Sequence, residues 1–425
     1  MSVAPKSVVL GFEPTFGFGD RLGVATPGHM DALRAEGGSI RGIFAQQSIR
    51  EMTRTQRTPA QVMEAASSAL ADEQFADPWG SDADHLKTTQ DVDLTVEAGF
   101  VFFTIDPSDY VDEHADDYDA AQLQAKFDAV RDQVGWIDTY LNRSVPIHDG
   151  LVLTFDEPTV QQAAVKYGKA IAHVQDMAQY IAETAASRDQ DHEIEISVDE
   201  TPQPTTLAEH YIIADQLLGA DVNLVSLAPR YIGDFEKGVD FKGDLALFER
   251  SLADHAAIAA QLGSYKLSLH SGSDKLAIYE SFARITRSRF HVKTAGTSYL
   301  EAVRVAARHD EALLRRIIDF GRAHYDTDRA TYHVSATVDG VPAPVDVPDA
   351  AELERIYLEC WEDVPDGKGF TNPGRQILHC TFGSVLTDAE LGPALKGVLD
   401  AYPETYRQVL ADHFGRHLVA LRRGM

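Results

Sequence analysis

Apolar positions fall into short runs separated by helix-compatible stretches, most regularly over residues 265–296. Two runs, KLSLH (266–270) and FHVKTA (290–295), flank about a dozen residues suited to a helix, the strand–helix–strand order of a parallel sheet. Period-two alternation puts Leu267 and Leu269 on one face and Lys266, Ser268 and His270 on the other; Phe290 and Val292 likewise oppose His291 and Lys293. In a parallel barrel the apolar face packs on helices and the other lines the interior. His270, His291 and Lys293 are therefore expected to point inward near the carboxyl ends, where barrel enzymes keep their chemistry.

The same rule applies along the chain. Residues 7–12 (SVVLGF) predict a strand opening into the Gly-rich loop EPTFGFGDRLGVATPGH, which fits neither the dinucleotide fingerprint nor the phosphate loop. GIFAQQS (42–48) is a second strand. In SDADHLKT (81–88) Leu86 marks the apolar face, leaving His85 and Lys87 on the other. FVFFTIDPSD turns Thr104 and Asp106 inward. LVLTFDEP turns Val152, Thr154 and Asp156 inward, with Glu157 one step beyond. EIEISVDETP turns Glu195, Ser197 and Asp199 inward, with Glu200 just past the end, and NLVSLAPRY carries Arg230 near its end. From Gly42 onward these make eight strand candidates, most separated by helical segments, and residues 7–12 make a ninth. The pattern predicts an α/β chain, a (β/α)8 TIM-type barrel over residues 1–308 that includes the N-terminal strand and Gly-rich loop. A doubly wound sheet is the alternative, without a fingerprint loop to support it. Residues 309–425 differ in texture: an amphipathic helix, a projecting Pro-rich stretch (TYHVSATVDGVPAPVDVPD), an apolar run containing His379, and two closing helices. They read as a mainly helical C-terminal extension packed on the barrel.

Charge narrows the partners. The 425 residues carry 38 basic and 66 acidic side chains, a formal net charge of -28. Such a surface repels phosphate backbones, so no nucleic-acid partner is expected, and an anionic substrate would need a local basic pocket. Cys360 and Cys380 form no CxxC pair, which leaves no zinc ribbon or disulfide framework. The first residues hold too short an apolar stretch for a signal peptide, and no run is long enough to span a membrane. A soluble cytoplasmic protein is expected; its oligomeric state is not readable from the sequence.

The candidate chemistry follows from phase. His85, His270 and His291 emerge inward from three strands treated independently, and imidazoles converging with carboxylates suit a divalent metal such as Zn, Ni, Mn or Co. Hydrogen-bonded core histidines are the plainer reading. Two similar acid pairs, Asp156-Glu157 and Asp199-Glu200, offer metal ligands or a general acid and base; each also precedes a helix, where an acid is favoured by the dipole alone. Lys87, Arg230, Lys275 and Lys293 are cations near predicted strand ends and point to an anionic, carboxylate-bearing substrate, unless they pair with neighbouring acids. Lys293 is also a possible Schiff-base lysine. His379 reads as structural, or as a residue delivered over the barrel mouth.

The segments FGFGDRLGVATPGH, DADHLKT, FTIDPSDY, NLVSLAPRYIGDFEKGVD, LSLHSGSDK, HVKTAGTSYLEA and RQILHCTFGSVLT together resemble the tagaturonate epimerase family of hexuronate metabolism, over nearly the whole chain. The resemblance implies a metal-dependent isomerase interconverting D-tagaturonate and D-fructuronate, 2-keto sugar acids that differ at one carbinol carbon. It supplies the sugar; the candidate site residues rest on strand phase. A barrel isomerase, epimerase or aldolase acting on a neutral ketose such as tagatose or fructose, or on another keto acid, is the alternative activity, and a non-catalytic sugar-acid binding protein the alternative class.

Overall fold

The structure, a computed structural model, describes residues 5–425. Eight parallel strands close a barrel in the order β1-β10-β9-β8-β7-β4-β3-β2. They are β1 (Thr15–Phe18), β2 (Arg41–Ser48), β3 (Gly80–Leu86), β4 (Phe102–Ile105), β7 (Glu193–Val198), β8 (Leu224–Pro229), β9 (Lys266–Leu269) and β10 (Phe290–Thr294). The remaining two strands, β5 (Arg143–His148) and β6 (Leu151–Phe155), form an antiparallel hairpin outside the barrel. Alternation holds in β9 and β10: Leu267, Leu269, Phe290 and Val292 join the apolar core, while Lys266 and His291 are buried against Thr15.

Two strand assignments change. The first barrel strand is not residues 7–12 but TFGF, inside the stretch that reads as a Gly-rich loop. Its glycines serve close packing: a Cβ on Gly19 would lie 2.4 Å from Ala295 Cα. This strand closes the barrel, Thr15 pairing with both His291 and Arg41. LVLTF leaves the barrel altogether. It pairs antiparallel with Arg143–His148, Val145 facing Leu153, through a tight connection at Asp149-Gly150 with Gly150 at φ +99°. Asp-Gly between two extended runs is a strong hairpin signal, and here it outranks the barrel pattern. Asp156 is then only the cap of the 30-residue helix Glu157–Ala186, its side chain accepting from Thr159 N at 3.0 Å.

The helices beyond Glu311 share one apolar core with the barrel. The last, Pro403–Arg423, lies along Thr26–Glu36. Its Phe414 packs edge-on against Phe16, Phe18 and His29. Residues 331–333 and His379 of the helix Pro373–Cys380 reach the barrel mouth, where they line the cavity described next. No helix among the described residues is long and apolar enough to cross a membrane.

Candidate active site and metal centre

The carboxyl ends of the strands open into an outer chamber of about 360 Å³ and a narrow inner one of about 50 Å³. Arg50, Asp199, Glu200, Lys237, His270, Ser271 and Tyr332 line both. β3 brings Asp84 and His85 to the inner chamber. Asp82 and Asp84 point into the interior, where Lys293 Nζ meets Asp82 Oδ2 at 3.0 Å, Asp84 Oδ1 at 2.7 Å and Glu195 Oε1 at 2.8 Å. Strict alternation from these acids would turn His85 outward. Instead the register shifts between Ala83 and Leu86, and His85 adopts φ +55°. A left-handed non-glycine costs on the order of 1–3 kcal/mol and marks a position held for a purpose. Here it presents two consecutive residues, Asp84 and His85, to one chamber.

Each of the two histidines is held by one carboxylate and faces another. His85 Nδ1 lies 3.1 Å from Asp106 Oδ2, leaving Nε2 3.7 Å from Asp84 Oδ1. His270 Nε2 lies 2.7 Å from Glu195 Oε1, leaving Nδ1 3.2 Å from Asp199 Oδ1 without the alignment of a hydrogen bond. The imidazole centroids are 5.2 Å apart. Ligand atoms of Asp84, His85 and His270 all fall within 4.8 Å of one another, and those of His85, Asp106 and Glu200 do likewise. A carboxylate gripping the far nitrogen of a ligating histidine is the usual means of fixing its tautomer and aim.

The charges fit a cation. Three carboxylates, Asp82, Asp84 and Glu195, meet Lys293, and two more, Asp106 and Asp199, face His85 and His270. Burial opposes charge on His85, yet Asp84 and Asp106 push its pKa up to about 9. Burial likewise opposes His270, and Asp199 and Glu195 raise it to about 10 against Lys293. Burial also works against Asp84, but His85 and Lys293 hold it well below its ordinary value. The site recruits two protons to balance its acids, positive charge that a divalent ion could supply through the same atoms. Two imidazoles with carboxylates match the donors preferred by Zn, Mn, Co or Ni. A second converging group, Asp274, His413 and His417, is different. Arg375 already pairs with Asp274 at 2.9 Å, and His417 Nε2 accepts from Asp274 N at 3.0 Å. Its charge is met internally, and it ties the last helix to the barrel.

The structure brings together His85, His270, Asp199, Glu200 and Lys293 of the expected residues, and Arg230 lines the outer chamber. Others are corrected. His291 faces inward but lies deeper: it pairs with Ser268, two residues below His270, and its Nδ1 meets Thr15 Oγ1 at 2.9 Å. Phase gives facing, not depth, and at about 3.3 Å per residue two positions take it away from the metal group. Asp156 and Glu157 are exposed at the start of the long helix and line neither chamber. Lys87 pairs with Asp109 at 2.7 Å and lines neither chamber. Lys275 is fully buried, its Nζ donating to the carbonyls of Glu236 (2.8 Å), Ser273 (3.1 Å) and Val239, a staple with no face toward the cavity. Asp82, Asp84 and Glu195 tie Lys293 at 2.7–3.0 Å and raise its pKa against burial, a setting that disfavours the free amine a Schiff base needs. Unforeseen contributors are Asp84, Arg50, Lys237 and Tyr332. Asp84 alone had a signal, in the alternation of Asp82 and Asp84 within DADH; the other three arrive on loops and a helix that carry no strand phase.

Comparison with known proteins agrees in scale with this architecture. A family model described as tagaturonate epimerase matches residues 2–421. A protein from Thermotoga maritima named tagaturonate/fructuronate epimerase is 40% identical over 413 residues, spanning 97% of this chain and 82% of its own. The crystal structure of a fructuronate-tagaturonate epimerase from Cohnella laeviribosi superposes with a TM-score of 0.90 at 35% identity, covering 98% of this chain and 83% of that one. A glycerol-complexed crystal of that protein gives a TM-score of 0.89 at the same identity.

Proposed function

The chain belongs to the tagaturonate epimerase family, and we propose that it interconverts D-tagaturonate and D-fructuronate with a divalent cation held by Asp84, His85 and His270. It is a carbohydrate epimerase with the barrel that this family uses. The observation that carries the metal assignment is the matched pair of grips, Asp106 on His85 and Glu195 on His270, each freeing the other ring nitrogen toward the inner chamber. The cation would supply Lewis acidity beside the substrate's carbonyl oxygen.

The chamber's own residues account for the anionic substrate. Arg230, with Nη1 anchored on the carbonyls of Tyr231 (2.8 Å) and Gly233 (2.9 Å), lines the outer chamber with Arg50 and Lys237. Three cations suit one carboxylate, and Arg230 is anchored by backbone carbonyls alone, so no acid among the described residues neutralises its guanidinium. Glu200 sits at the junction of the two chambers, paired with Arg50 at 2.8 Å, where it can accept a hydroxyl proton.

Carbon 4 of a 2-ketose is β to the ketone, so its own hydrogen is not acidified. The route we favour breaks C3–C4: the C4 hydroxyl loses its proton, its O–H pair becomes the aldehyde bond, and the C3–C4 pair passes to C3. The aldehyde turns and the bond re-forms on its other face. The three-carbon aldehyde keeps the carboxylate, so a clamp on that group retains the half that must turn, while the C1–C3 enediolate would be held at the cation.

Two measurements test this reading. Purified protein is assayed for D-tagaturonate turnover before and after chelation, with metal content measured and metals returned singly. Loss and recovery of fructuronate formation is expected; turnover by demonstrably metal-free protein would sink the metal assignment. In deuterated water, deuterium at the inverted carbon would exclude C3–C4 cleavage.

A further inference from the structure

Among the described residues, His379 is the one imidazole of the inner chamber that the barrel does not supply. It comes from the helix Pro373–Cys380, is 2% exposed, and lines the inner chamber with Asp84, His85, Glu200 and His270. Neither of its ring nitrogens has a hydrogen-bond partner. That is costly for a buried polar group unless a ligand completes it. Its position is nonetheless closely fixed. The ring lies across Gly296, where an added Cβ would come within 2.0 Å of Cε1. Gly238 lies beside its Cβ, and Tyr332 packs edge-on at 6.1 Å. Gly296 is at φ -96°, so its conformation does not demand glycine; the approach of this imidazole does. Burial, with Arg21 and Lys237 nearby, keeps the ring neutral. A neutral imidazole has one acceptor and one donor nitrogen.

We propose that His379 contacts the substrate, hydrogen-bonding the oxygen on the inverted carbon in one of its two configurations, while Glu200 serves the other. The proposal rests on the epimerase reading. Inversion carries that oxygen from one face to the other, so one fixed group cannot meet both positions. The oxygen is a hydroxyl in the bound sugar and a carbonyl in the opened form. A group with both an acceptor and a donor nitrogen suits each state.

The test uses the full-length metal-loaded enzyme and H379F, which keeps the ring against Gly296 and removes both nitrogens. The probes are two sugar acids of opposite configuration at C4 whose C2 ketone is reduced to a hydroxyl, so that they bind without turning over. Expected is a rise of about 10-fold in the inhibition constant for one probe and little change for the other. With it, kcat/KM should fall about 100-fold, equally in both directions. Melting temperature and metal content should stay close to wild type. Equal weakening of both probes, or wild-type kcat/KM in H379F, overturns the proposal. Should H379F fold poorly, H379N and H379Q, which place a polar group near one or the other nitrogen position, replace it. At least one should keep part of the lost discrimination, and neither doing so counts against the contact. A wild-type enzyme with no D-tagaturonate turnover would instead overturn the epimerase reading itself.

Discussion

Replacing Lys293 with Met should expose the charge balance of the inner chamber. The methionine keeps the apolar stem and deletes an ammonium that meets three carboxylates at 3.0, 2.7 and 2.8 Å and donates to Thr104 Oγ1 at 2.7 Å. Both sides are buried, so solvent screens the loss little. Removing one partner of a buried ion pair costs about 3–5 kcal/mol, because the remaining charges are stranded. A chain of 425 residues unfolds with an entropy of roughly 0.9 kcal/mol per kelvin, so the melting point should fall by about 3–6 K. Calorimetry of metal-free protein at neutral pH measures this directly. Adding Asp82→Asn removes one stranded charge and should recover part of the loss. The pH dependence has a definite sign. Asp84 and Glu195 have depressed folded-state pKa values, despite opposing burial, with Lys293 among the causes. Their stabilisation is present above their unfolded values, 3.8 and 4.5, and is lost as pH falls through the lower folded ones. The deficit of K293M should therefore be largest near neutrality and shrink below about pH 4. A melting point within one kelvin of wild type at pH 7, or no recovery in the double variant, would refute the electrostatic account.

Asp106→Asn weakens the grip on His85 Nδ1 and should lower metal affinity about 10–100-fold, measurable by competition with a chelator. His85 and His270, raised to about 9 and 10, must give up their protons to a metal. Calorimetry in buffers of differing ionisation enthalpy should show about two protons released near pH 7.5, with affinity climbing up to about 100-fold per pH unit. In the metal-free protein the same raised values add stability below pH 6.5 that is lost as pH rises through 9 to 10, visible as a falling melting point. Asp156→Ala should lower the melting point slightly as a lost helix cap and leave kcat/KM unchanged. Arg230→Met should raise KM for D-tagaturonate at least about 10-fold, since the clamp serves binding more than bond breaking.

What could be read from the sequence follows the reach of each rule. Strand phase correctly turned His85, His270, Lys293, Glu195 and Asp199 inward, because alternation is a local property of an extended chain. It could not give depth, which depends on register between strands far apart in sequence; hence His291 sits below the group it was expected to join. It failed at β3, where an irregularity turns two successive residues inward, hiding Asp84 behind its neighbour. The LVLTF run reads as a barrel strand only if the Asp-Gly turn before it is overlooked. Arg50, Lys237 and Tyr332 arrive on segments without strand phase, and no local pattern predicts where such segments land.

The closure of the barrel by β1 constrains how the protein is made. Thr15 pairs with His291, and the helix that covers Phe16 and Phe18 begins only at Pro403. During synthesis the first barrel strand leaves the ribosome with one neighbour, β2, and waits for more than half the chain to emerge before its second exists. Its exposed edge is only four residues, TFGF, two of them aromatic. So short an edge offers little template for pairing with other nascent chains. The brevity of that seam thus protects the chain during the interval when the barrel is open, and folding should complete only after the last helix is released.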